Sequence, residues 1–124
     1  MEPALIMKTA SCLLGITAVG GLTMAAIRFR GTPQPPAWLA MLHGLLAGAA
    51  VTLLLYGFFT VGLPALASWA LLLFLIAAAG GVLLNLNYHT KMLPLPKGLL
   101  VGHASVAAVG FVVLLVATWS AVRT

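Results

Sequence analysis

The chain has 124 residues, 63% of them hydrophobic and 6% charged, with a formal net charge of +5, and its mean hydropathy of +1.18 leaves too little polar surface to coat a water-soluble domain of this size. Glu2 is the sole acidic side chain, which excludes paired carboxylates, an aspartate-supported triad and a carboxylate-bound metal cluster. The basic residues sit singly at segment ends, with no face that could follow a phosphate backbone, so nucleic acid is excluded as a partner and the lipid bilayer is the expected one.

Four apolar stretches, near 7–28, 37–59, 65–87 and 98–121, each have the roughly 20 residues that a helix needs to cross about 30 Å of hydrocarbon. The first follows Lys8 and could be mistaken for a cleavable signal, but it runs on to Arg28 without a cleavage site and matches the third segment in register. Gly31-Thr-Pro-Gln-Pro-Pro36 breaks the chain before the second segment, and Leu93-Pro-Leu-Pro96 breaks it before the fourth. Proline at a helix start costs nothing, because its missing N–H would be unpaired there anyway. Thr60-Val-Gly-Leu-Pro64 links the two halves without room for a soluble domain. The expected architecture is all-α: an integral-membrane four-helix bundle, one transmembrane domain over 1–124, built from two tandem hairpins at about 7–59 and 65–121.

The hairpins repeat. At an offset of 60, Gly20-Gly21 falls on Gly80-Gly81, Pro36 on Pro96, His43 on His103, Ala47 on Ala107 and Ala50 on Gly110. A repeat unit with two crossings places both copies the same way up, so the two histidines share a side and a depth. Arg28, Arg30, Lys91 and Lys97 lie at the hairpin turns, against Lys8 and Arg123 at the other end. The positive-inside rule then puts the turns in the cytoplasm and the termini in the periplasm of a bacterial inner membrane.

An imidazole inside a bilayer is costly and faces the bundle interior, where it either bonds a backbone carbonyl or ligates a metal. Counting residues from the turns at 1.5 Å each puts Gly20, Gly21 and His43 in one layer, roughly 10 Å from the membrane face, and the repeat puts Gly80, Gly81 and His103 in the same layer. Small residues four and seven positions after each histidine, Ala47 and Ala50, Ala107 and Gly110, leave a shallow channel along its helix face. The expected centre is a bis-histidine haem b: His43 and His103 as metal ligands, the macrocycle between the second and fourth helices, and the four glycines clearing space for its edges. Arg28, Arg30, Lys91 and Lys97 are candidate partners for the propionates.

In these features the chain resembles the membrane cytochrome b subunits that anchor respiratory dehydrogenases, helical bundles holding haem between histidines on different helices. That resemblance covers the four spans and implies electron transfer within a larger membrane complex, with no catalysis by the subunit itself. Relatives of that kind often carry two histidine pairs, whereas only His43 and His103 match here. Two other readings stand beside it: a cofactor-free structural or assembly subunit, and a subunit binding a chlorophyll-type pigment through one histidine.

His89 matches Phe29 in the repeat and lies outside the pair. With Asn85, Asn87 and Tyr88 it reads as the polar end of the third helix, or as a contact for a quinone or a propionate. Trp38, Trp69 and Trp119 read as interfacial anchors, and Cys12, alone within a span, as packing. The apolar exterior suits other subunits of a complex or further copies of the chain.

Overall fold

The computed structural model describes residues 1–123, and these form an all-helical bundle without strands. Helix α1 spans Pro3–Phe29, α2 Ala37–Tyr56, α3 Ala65–Leu84 and α4 Lys97–Arg123. Two helices are extended by a wider π turn, α2 through Gly57–Val61 and α3 through Asn85–His89. Counted with these extensions, all four are long and apolar enough to cross a membrane, the makeup of a multi-pass membrane protein.

Proline begins each helix as the sequence suggests. Pro3 opens α1, while Pro36, Pro64 and Pro96 directly precede α2, α3 and α4. Glycine supplies the left-handed backbone that ends two of them: Gly31 has φ 108° after α1 and Gly62 φ 84° after the π turn of α2. After α3 the same job falls to Met92 at φ 56°, an uncommon conformation for a residue with a β-carbon.

Helix α1 packs against α2 and α4, and α3 against α4 and α2, so α2 and α4 oppose each other across the diagonal of the bundle. The larger core lies toward the chain termini and joins all four helices, with Ile6, Met7, Leu54 and Leu114 fully enclosed. A smaller one, Leu84, Leu95 and Leu100, lies toward the hairpin turns. The duplication extends to burial: position by position, residues 41–50 of α2 and 101–110 of α4 have the same pattern of buried, intermediate and exposed side chains. Trp38, Trp69 and Trp119 all face outward.

The two hairpin turns are bonded to one another. Leu95 N–H donates to Pro33 O at 3.2 Å, Arg28 Nε to Leu95 O at 2.9 Å, and Gln34 Nε2 to Leu93 O at 2.8 Å. Prolines leave carbonyls without helical partners here, and long polar side chains from the opposite hairpin satisfy them.

Candidate functional site

His43 comes from the second turn of α2 and His103 from the second turn of α4. Their rings meet inside the bundle, with centroids 6.2 Å apart and planes inclined at 66°. The repeat and the diagonal placement of α2 and α4 together produce this encounter, since symmetry sends equivalent side chains toward the same axis. Apolar clusters lie on both sides of the layer along the bundle.

Each ring is held by a backbone carbonyl of the neighbouring helix. His43 Nδ1–H donates to Thr17 O on α1 at 2.9 Å, and His103 Nδ1–H donates to Ala77 O on α3 at 2.7 Å. A carbonyl oxygen has no proton to give, so the proton of each neutral ring resides on Nδ1, and Nε2 keeps its lone pair. Ligating histidines are commonly oriented this way, one nitrogen donating to a carbonyl while the other faces the metal. Among the described residues no buried side-chain nitrogen or oxygen lacks a partner. Neither Nε2 makes a hydrogen bond, and neither is fully buried.

The four glycines lie against the histidines. A β-carbon at Gly21 would stand 2.9 Å from His43 Cε1, and one at Gly81 would stand 3.1 Å from His103 Cε1. Gly20 and Gly80 look onto the β-carbons of His43 and His103 with ordinary spacing, 4.0 and 3.7 Å. The room expected for the edges of a macrocycle is therefore taken, at Gly21 and Gly81, by the imidazoles themselves.

The cations sit at the hairpin-turn end of the bundle. Arg28 is half-buried and engaged with Leu95 O, Lys97 Nζ lies 5.4 Å from the centroid of the Phe29 ring, and Arg30 and Lys91 are exposed. His89 is not near the pair; its Nε2–H donates to Pro35 O at 3.1 Å and joins the network between the turns. Asn85 and His89 begin and end a π turn, in which Thr90 N–H bonds Asn85 O. Cys12 is exposed on the outer surface of α1.

Two bonding partners, Thr17 and Ala77, were not singled out by reading the sequence, because any residue supplies a carbonyl. The available signal was indirect: each lies four positions before one of the repeated glycines, and both bonds span 26 residues.

The 6.2 Å between the ring centroids is close to the separation of two imidazoles bound to one metal. In-line bonds of about 2.0–2.1 Å, with each ring centroid roughly 1.1 Å behind its nitrogen, put the centroids about 6.3 Å apart. The described residues contain no group of three or more histidine, cysteine or acidic side chains able to hold a metal by themselves. A metal here would take at most two ligands, His43 and His103, from the chain. Comparisons with protein-family models, with curated proteins and with solved structures find no match to this chain.

Proposed function

We propose that this chain is a small b-type cytochrome-like subunit of a bacterial inner membrane, binding one haem between His43 and His103 for electron transfer within a larger membrane complex. The observation that carries the reading is the imidazole pair with centroids 6.2 Å apart, each ring anchored through Nδ1 so that Nε2 is left without a hydrogen bond. When bound, haem would supply a reversible one-electron couple, with His43 and His103 as the residues that would hold it. Arg28, Arg30, Lys91 and Lys97 stand toward the end where propionates would meet water. The apolar clusters on either side make the surroundings less polar and would favour the more weakly charged oxidation state.

The cofactor-free structural subunit is the second reading, and it draws on the same hydrogen bonds: each histidine is already tied to a neighbouring helix, and Gly21 and Gly81 are filled by imidazole. Absorption spectroscopy of protein purified from native membranes separates the readings. Sharp reduced-minus-oxidised bands of a six-coordinate b-type haem, near one per chain, are expected. Long-wavelength pigment bands would favour the chlorophyll-type reading, and a colourless preparation that also fails to take up haem would leave the structural one.

The orientation has its own test. In a Cys12→Ser background, Lys91→Cys is expected to react with a membrane-impermeant maleimide only after the cytoplasmic face is opened, whereas Glu2→Cys should react in intact spheroplasts. The reverse pattern would place the hairpin turns outside and overturn the assignment made from the basic residues.

A further inference from the structure

In an α-helix the carbonyl of residue i accepts a hydrogen bond from the N–H of residue i+4 and retains a second lone pair. That lone pair is normally screened, because each Cα–Cβ bond leans toward the helix N-terminus and places the side chain of i+4 over the turn below. Gly21 is i+4 to Thr17, and Gly81 is i+4 to Ala77. With no β-carbon at either place, an imidazole from the next helix lies against the glycine and reaches the exposed oxygen. The vacated space coincides with the ring: at Gly21 a β-carbon would be 2.9 Å from His43 Cε1 and 3.3 Å from Nδ1, and at Gly81 it would be 3.1 and 3.6 Å from the same atoms of His103.

We infer that Gly21 and Gly81 are positioning residues that uncover the Thr17 and Ala77 carbonyls, lock His43 and His103 in the Nδ1–H tautomer and thereby commit Nε2 as the ligand nitrogen. The device occurs twice, and the neighbouring glycines do not share in it. A β-carbon at Gly20 meets nothing nearer than 3.9 Å, and one at Gly80 nothing nearer than 3.7 Å. The tautomer assignment stands apart from any cofactor; its consequence for iron rests on the haem reading.

His89 supplies an internal reference. It donates through Nε2 to Pro35 O, so its proton is on Nε2 and not on Nδ1 as in the pair. Nitrogen-15 NMR of the imidazoles, on full-length protein reconstituted in lipid nanodiscs without haem and at a pH where the rings are neutral, is expected to show two Nδ1–H rings and one Nε2–H ring. Gly21→Ala should convert His43 to a tautomer mixture while His103 keeps its signal, and Gly81→Ala should do the converse to a smaller degree. Gly20→Ala should change neither.

Titration of the same samples with haemin should show about a 10- to 100-fold loss of affinity for Gly21→Ala, the range seen when the outer partner of a ligating histidine is removed. Wild-type rings protonated on Nε2, or a Gly21→Ala protein with unchanged tautomers, would overturn the inference without reference to haem, and the wild-type spectrum decides even if a variant fails to fold. Should the tautomers behave as expected while even the wild type takes up no haem, the positioning role stands and the haem reading falls.

Discussion

Replacing either His43 or His103 with alanine is expected to abolish the six-coordinate haem spectrum and to lower haem affinity by more than about 100-fold, beyond the roughly 10–100-fold typical of losing only an outer-shell partner. On the haem reading both rings would be needed to hold the group, so a single remaining imidazole would leave it without one of its two protein ligands. Membrane insertion should be unchanged, because the apolar spans drive it and a His→Ala change makes a span more apolar. The expected result is a colourless or high-spin preparation of normal abundance. His89→Ala is the matched control, since that ring bonds Pro35 O away from the pair, and it should keep the wild-type spectrum. Full haem content in both His43→Ala and His103→Ala would remove these residues as ligands.

The second large effect is expected at Phe74, which is 4% exposed on α3 and packs where a β-carbon at Gly110 of α4 would lie 3.3 Å from its ring. In water a Phe→Ala change combines lost transfer free energy with a cavity term. Inside a bilayer the transfer part shrinks, because lipid tails are as apolar as the core and helices associate mainly through packing. The cavity part remains. Removing roughly 100 Å³ of ring at about 24 cal/mol per Å³ costs about 2 kcal/mol. Unfolding of Phe74→Ala by SDS titration in mixed micelles should therefore begin at clearly lower detergent fraction than wild type, with Phe74→Leu in between. An unchanged midpoint would mean that the α3–α4 contact contributes little to holding the bundle together. Gly110 matters to the same contact for the opposite reason, since its missing side chain lets the ring approach the backbone of α4.

Composition and periodicity determine a good deal here. Four stretches of apolar residues bounded by Pro36, Pro64 and Pro96 specify four long helices, because a bilayer accepts only segments that satisfy their own backbone hydrogen bonds, and proline is tolerated where a helix begins. The offset of 60 between His43 and His103 already implies a shared depth, since two crossings return the chain to the same side. Which groups each imidazole touches is not written in that pattern. Thr17 and Ala77 contribute carbonyls, which every residue has, and they became partners only when α1 packed beside α2 and α3 beside α4. Gly21 and Gly81 were legible as missing side chains, but what fills the space depends on the rotation of the adjacent helix: the tertiary structure gives it to the imidazoles. The joining of the hairpin turns through Arg28, Gln34 and His89 was equally hidden, because polar side chains at helix ends read as facing water until a second loop with unpaired carbonyls is brought against them. Helix existence and depth follow from the transfer of side chains out of water, a property of each segment alone. Ring orientation and hydrogen-bond choice are set by close contact between segments, which only the assembled bundle decides.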